Sequence, residues 1–565
     1  MRRTGAIILL SCCGLFCAGS WGQAELGAGV QQKHRLLQEE LPEIDGDAPR
    51  QASPMVLPPL EPRQETDRTS PQLRVYVRSF RFEGNHVFSD SELHEISARY
   101  EGRVITSAEL LQLRNAIGVL YLDQGYINSG AVIPDQKVED GVVTLRIIEG
   151  ELTRIEIDGN KRLRDGYIES RLQRGAGRPL NISGLENELK MLQRNPLIER
   201  LNAELRPGER RGESALMLQV DEGRPARVDI DLNNFRPPSV GAEQVEVNAT
   251  LYSLTGNSDP FTAYLAHTEG LDDVFLFYQL PVNSLDTKLG FYYEYTSSEV
   301  VEDPFDDLDI ESDATTWGFS ISHPLRNTLN GHLIAGIALE RRQSDSKLLG
   351  VPFSFAEGAE NGRTNVTPLR LSLDWLRRDP DSVLAVRSVV TIGLDALGAT
   401  RHSDAPDGQF VAWSGQLQWV RRLLKGYQVI LKASAQRSNR ALLPMEKFVV
   451  GGHDTVRGYR ENQLVRDNGY AASAELRIPL FQGDALQSDW QIAPFVDYGK
   501  AWEDGRVTPS PRDIASIGAA LRWQPTRRLL ASVSVAHAFE NIDRADQDRD
   551  LQDRGVNLQL RYRLY

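Results

Sequence analysis

Arg457 and Asp497 are the residues of this 565-residue chain whose types and spacing point most directly to chemistry, and that chemistry is ion pairing. Arg457 lies in Gly451-Gly452-His453-Asp454-Thr455-Val456-Arg457-Gly458-Tyr459, and Asp497 follows in Phe495-Val496-Asp497-Tyr498-Gly499. A guanidinium presents planar bidentate donors that a carboxylate satisfies well. Gly458 lets the backbone turn tightly beside it, and Tyr459 is placed to pack against a wall. Inside a β-barrel such a pair would pin a long loop to the inner surface. The competing reading is an ordinary solvated Arg in a surface loop.

Signs of catalysis are missing from the sequence. It holds no His-Glu-x-x-His, no P-loop lysine and no Gly-x-Ser-x-Gly. Ser344-x-x-Lys347 occurs without companion motifs, and His94-Glu95 has no second His at ligand spacing. All three cysteines, Cys12, Cys13 and Cys17, fall at the extreme N-terminus, which removes thiol catalysis and zinc–thiolate sites from the rest of the chain. We therefore expect no catalytic residue, no metal site and no cofactor. A net charge of −14 argues against nucleic acid as a partner.

The elements that must position Arg457 and Asp497 are strands. From about residue 225 onward apolar and polar residues alternate with period two. Val228, Ile230 and Leu232 alternate with Asp229, Asp231 and Asn233, and Leu289, Phe291, Tyr293 and Tyr295 with Lys288, Gly290, Tyr292 and Glu294. Leu369, Leu371, Leu373 and Trp375 repeat the pattern, as do Val556, Leu558, Leu560, Tyr562 and Leu564. Alternation over so long a stretch demands a closed sheet, because edges must be paired. The charged inner face and the aromatics at strand ends (Trp375, Trp413, Trp419, Trp523) suit a membrane barrel with a wet lumen. At about ten residues per spanning strand, residues 225–565 accommodate about sixteen antiparallel strands. The acidic, turn-rich stretch from Glu302 to Asp307 reads as a surface loop.

Ahead of the barrel the chain reads in five pieces. Residues 1–24 form a signal peptide, with Arg2 and Arg3 before an apolar stretch and small residues. Residues 25–41 read as a short helix or, equally, an unstructured tail. The seven prolines between Pro42 and Pro71 make residues 42–72 an extended linker. Residues 73–150 and 151–224 are two related units. Phe82-Glu83-Gly84-Asn85 recurs as Ile157-Asp158-Gly159-Asn160, and each unit ends in an apolar strand closed by Glu-Gly. Ser89-x-x-Glu92, Thr106-x-x-Glu109 and Ser183-x-x-Glu186 mark helix starts. The order expected in each unit is strand, helix, helix, strand, strand.

The two motifs, the flanking Gly469-Tyr470 and Ala474-Glu475-Leu476-Arg477-Ile478-Pro479, and the duplicated units together resemble the outer-membrane transporters of two-partner secretion. That resemblance implies a sixteen-stranded barrel in the Gram-negative outer membrane and two periplasmic α+β POTRA domains. It implies that the Arg457 loop folds into the barrel and pairs with Asp497, with Gly451, Gly452, Val456, Gly458, Tyr459, Phe495 and Gly499 as the surrounding motif positions. It implies a large secreted exoprotein of adhesin, haemolysin or toxin type as partner, contact with outer-membrane lipids, and barrel assembly machinery for the chain's own insertion. Residues 25–41 are similar to the plug helix of such transporters. An assembly factor that inserts other barrels and a passive porin are the alternative readings. The C-terminal strand departs from the usual pattern, because Arg561 and Arg563 share the face of the terminal Tyr565 while Tyr562 and Leu564 occupy the other.

Overall fold

The structure is a computed structural model that describes residues 74–480, 490–542 and 549–564. The expected signal peptide, N-terminal helix and Pro-rich linker lie outside the described residues. Two compact units are present. Among the described residues, one comprises residues 74–223 with Thr255–Ser258, and the other Arg224–Leu254 with the described residues from Asp259 onward.

The first unit contains two modules of one plan. In the first, β1 (Arg74–Val77) pairs with β3 (Arg103–Thr106), and β2 (Ser79–Glu83) runs parallel to β5 (Val142–Ile148), which pairs on its other side with β4 (Gly130–Val132). Helices α1 (Asp90–Ser97) and α2 (Ser107–Asp123) begin in complete capping boxes, Ser89 with Glu92 and Thr106 with Glu109. The apolar face of α2 buries Leu113, Ile117 and Tyr121. In the second module β6 (Glu151–Asp158) is parallel to β8 (Glu213–Glu222), which pairs with β7 (Ile198–Pro207), and the helices are α3 (Asp165–Ala176) and α4 (Ile182–Leu192). Two expectations are corrected here. The first module contains an extra two-stranded sheet, β1–β3, and α4 is capped not from Ser183 but by Asn181, whose side chain accepts from Ser183 and Gly184 N–H.

Equivalent residues make equivalent bonds in both modules. Asn85 Nδ2 donates to Phe88 O at 3.0 Å and Asp90 Oδ1 at 2.8 Å, as Asn160 Nδ2 does to Leu163 O at 2.7 Å and Asp165 Oδ1 at 2.6 Å. Glu149 accepts from His86 and Val87 N–H, and Glu222 from Arg162 and Leu163 N–H. Burial pushes the Glu149 carboxyl up, but these two N–H donors and the Tyr121 hydroxyl at 2.9 Å outweigh it and hold the carboxyl below its ordinary value. Thr106 N–H and Arg103 hold Glu109 lower still, at about 2. A depressed folded pKa adds stability above the unfolded carboxyl value of about 4.3, and that stability is lost as pH falls through the folded value. Amide protection factors in α2 of the intact chain should therefore hold from neutral pH to about 4 and decline below it. Glu149→Gln should remove only the Glu149 share of that decline, Glu109 keeping its own, and protection indifferent to pH across this window would contradict the account.

The second unit is a closed barrel of sixteen long antiparallel strands, from β9 (Ala226–Asn233) to β28 (Val556–Arg563). Its alternation follows the side-chain period of two. On β13 (Lys288–Glu299), Leu289, Phe291, Tyr293 and Tyr295 face outward and are exposed, while Tyr292 and Glu294 are buried inside. An apolar outer band and a polar interior are what lipid outside and water inside require. Among the described residues no helix is long and apolar enough to cross a membrane.

The unusual polarity of the last strand has a cause in the closure seam. Arg561 Nε reaches Asp231 Oδ2 at 2.8 Å and Arg563 Nε reaches Asp229 Oδ1 at 2.9 Å, so both arginines face inward where β28 meets β9. Leu558, Leu560, Tyr562 and Leu564 then face outward. Tyr565 lies outside the described residues.

Candidate functional site inside the barrel

Strands β21 (Gln428–Ser438) and β24 (Asn468–Pro479) are neighbours in the wall, and the chain between them turns inward instead of closing a short hairpin. There it forms its own two-stranded sheet, β22 (Phe448–Val450) with β23 (Leu464–Arg466). The connection at its tip carries Gly451 to Tyr459.

Arg457 sits on a pad built by two wall strands, β24 and β25 (Trp490–Trp502). Its Nε and Nη2 donate to Asp497 Oδ2 and Oδ1 at 2.8 and 2.9 Å, and its backbone N–H adds a bond to Oδ2 at 3.1 Å. Nη1 donates to Glu475 at 2.7 Å and Nη2 to Ser473 Oγ at 3.1 Å. The guanidinium lies 3.3 Å from the centroid of the Phe495 ring, a cation–π contact. Strand geometry explains the assembly. Phe495, Asp497 and Gly499 alternate along one face of β25, and the register sets Ser473 opposite Asp497 and Glu475 opposite Phe495. The Asp497 residue is 1% exposed and Arg457 is 8% exposed, so the pair is shielded from water.

The other motif positions make this seat possible. Val456 is fully buried with Val450, Phe448, Tyr459, Leu464, Ala501 and Ile514. Tyr459 Oη donates to Ala515 O at 3.0 Å and accepts from Glu540 N–H at 3.0 Å. Gly451 and Gly452 have positive φ at the start of the turn. Gly458 has φ +92°, and a Cβ there would lie 2.9 Å from the Cβ of Ala536.

Several partners escape the sequence reading. Glu475 and Ser473 stand outside the two motifs, although their parity with Arg477 on the polar face of β24 carries the signal. Arg460, one residue beyond the motif, donates to Asp553 Oδ1 and Oδ2 at 2.7 Å each and to Glu302 at 2.6 Å. Glu302 is therefore a buried ligand and departs from the surface loop expected there, while Asp303, Pro304, Asp306 and Asp307 are exposed as expected. Gln552 accepts from Glu461 N–H and donates to the carbonyls of Asn234 and Arg236. The arrangement seats a loop in a lumen with directional, charged contacts.

Comparison with known proteins shows the family and the fold. Residues 212–523, more than half the chain, match the family described as haemolysin secretion/activation protein ShlB/FhaC/HecB, and residues 75–150 match the POTRA domain of ShlB type. The heme/hemopexin transporter protein HuxB of Haemophilus influenzae (strain 86-028NP) is 22% identical over 478 residues, spanning 81% of this chain and 82% of that protein. The outer membrane transporter CdiB of Dickeya dadantii (strain 3937) is 22% identical over 487 residues, spanning 83% of each. The solved structure of CdiB from Escherichia coli shares the fold, with a TM-score of 0.67 at 20% identity over 96% of this chain and 99% of that one. The chain thus belongs to the haemolysin secretion/activation family, the outer-membrane β-barrel transporters of two-partner secretion, which carry their POTRA domains in the periplasm.

Proposed function

We propose that this chain captures one large, unfolded exoprotein in the periplasm through its two POTRA modules and passes it through the barrel to the cell surface without ATP. The Arg457–Asp497 pair sets the resting position of the loop, and passage of the exoprotein requires the loop to leave that seat. The observation that carries the reading is the seat itself, because a buried, multidentate ion pair fixes one position and has no role in a simple open pore. The modules offer complementary chemistry. β2 and β4 are edge strands of one sheet and β6 and β7 of the other, and an extended chain can add to such an edge by backbone bonds that tolerate many sequences. The names of similar proteins, a heme/hemopexin transporter, an outer membrane transporter and a hemolysin transporter, support an exported protein as the partner. Outer-membrane lipids surround the apolar band, and barrel assembly machinery inserts the chain itself. Family members are transporters, and we assign this chain no catalytic residue and no cofactor.

Comparative proteomics of supernatant, cell surface and outer membrane, with and without this chain, tests the proposal. Loss of one large exported protein with other barrels unchanged is the expected result. Broad depletion of outer-membrane barrels would make the chain an assembly factor instead.

A further inference from the structure

A further buried charge cluster lies elsewhere on the lumen wall. Glu446 closes a single helical turn, Pro444–Glu446, on the limb of the loop that precedes β22. Its carboxylate accepts from Arg342 Nη1 at 2.5 Å and from Arg370 Nη2 at 3.0 and 3.1 Å to its two oxygens. Arg342 lies on β15 (Gly331–Leu348) and Arg370 on β18 (Pro368–Asp379), adjacent wall strands. Three strands, β19 (Ser382–Gly393), β20 (Val411–Arg422) and β21, separate them from β24. Arg342 also donates to Met445 O at 2.8 Å, and Arg370 Nε donates to Glu340 at 2.9 Å. Two carboxylates and two guanidiniums thus balance in a water-poor site, with Glu446 2% and Arg342 1% exposed.

The base of the loop is fastened by other means as well. Leu442, Leu443 and Met445 pack with Val366, Phe410 and Ala412. Asp467, at the far end of the loop, accepts from Leu442 N–H at 2.8 Å, and Gln436 Nε2 donates to the carbonyls of both Glu446 and Asp467. Apolar packing is non-directional, so the placement of this limb along the wall falls to its polar contacts, the Gln436 and Asp467 bonds and the Glu446 cage. The Glu446 cage is directional, and removing one side leaves buried charge without a partner.

We propose that Glu446 is a second positioning residue for transport. With Arg342 and Arg370 it fixes the limb Leu442–Lys447 as a stationary base, so that only the loop beyond it, carrying Arg457, leaves its seat and returns to the same one. This rests on the reading that the Arg457 seat opens during secretion.

Because no residue after Cys17 is a cysteine, single thiol probes report each part of the loop cleanly in the full-length protein in liposomes. Val456→Cys reports the tip and Met445→Cys the base, both buried positions. The measurement is the rate of labelling by a membrane-impermeant maleimide, with the protein lacking an introduced cysteine as background. Heat-modifiable gel mobility checks that the barrel is intact. Arg457→Ala should raise tip labelling by on the order of tenfold or more and leave the base unchanged. Glu446→Ala should raise both by a similar factor, and Glu446→Gln, which keeps the size but not the charge, should raise both by less. Should Glu446→Ala fail to insert, Glu446→Gln alone decides the matter. Base labelling that stays low in the Glu446 variants, or rises with Arg457→Ala, would overturn the proposal while the seat stands. Tip labelling that ignores Arg457→Ala would overturn the seat and the proposal together.

Discussion

Arg457→Ala should lower export of the partner protein by on the order of tenfold or more while the barrel remains folded and inserted. The substitution strands Asp497, which is 1% exposed, and takes from Glu475 one of its two guanidinium partners, leaving Arg477 at 2.9 Å. Breaking a buried pair in this way costs about 3–5 kcal/mol, because the remaining charge keeps its desolvation penalty without its counter-ion. That cost falls on the seated loop and not on the wall, whose strands are held by unbroken backbone ladders between β21 and β24 and along β25 on its far side, the β24–β25 ladder being interrupted only beside Pro494. Asp497→Ala should be milder, since Arg457 keeps Glu475 and Ser473. Arg457→Lys should fall nearer to Ala than to wild type, because an ammonium cannot serve Asp497 bidentately and reach Glu475 as well. Exoprotein in the supernatant, scored against the heat-modifiable barrel band, measures all three. Normal export by both Arg457→Ala and Asp497→Ala would remove the pair from the mechanism.

The parts of this molecule legible in its sequence are those governed by local periodicity. A side-chain period of two is written into Leu289–Tyr295 and Leu369–Trp375, so the barrel and its inward and outward faces follow directly. Phe495, Asp497 and Gly499 are likewise spaced by two, and that spacing alone puts them on one face of a strand. Capping boxes at Ser89 and Thr106 are complete within four residues, and both are readable. The partners that escape the sequence depend on contacts between residues far apart in the chain. Glu302 lies 158 residues from Arg460, and nothing in the acidic run from Glu302 to Asp307 distinguishes a buried ligand from a solvated one. Arg342, Arg370 and Glu446 meet only because β15 and β18 become neighbours. The inward arginines of the last strand look anomalous for the same reason, since their counter-charges, Asp229 and Asp231, sit at the opposite end of the barrel sequence. At Ser183 the local pattern competes with Asn181 two residues earlier. Asn is as good an N-cap as Ser, and here its side chain bonds two N–H groups.

Gly499→Leu should impair secretion nearly as much as Arg457→Ala, although it alters no charge. Gly499 faces the lumen directly beneath the loop. A Cβ built there would lie 2.2 Å from Val450 Cγ1 and 3.0 Å from Val456 Cγ2, closer than packed carbons approach. The wall cannot retreat, because Gly499 is paired with Ala471 on one side and Ile514 on the other. The loop must therefore lift, and overpacking of this kind costs about 1–3 kcal/mol. Gly499→Ala should show a weaker form of the same defect. Val450→Ala should partly restore export in the Gly499→Ala background, since it vacates the contact made by Cγ1. Combining Gly499→Leu with Arg457→Ala should add little beyond the worse single variant, because both act on one seat and neighbouring sites are not additive. Full additivity would mean that the glycine and the arginine serve separate steps. Undiminished export by Gly499→Leu, with the barrel inserted, would mean that close seating of Val450 and Val456 is dispensable and that charge alone positions the loop.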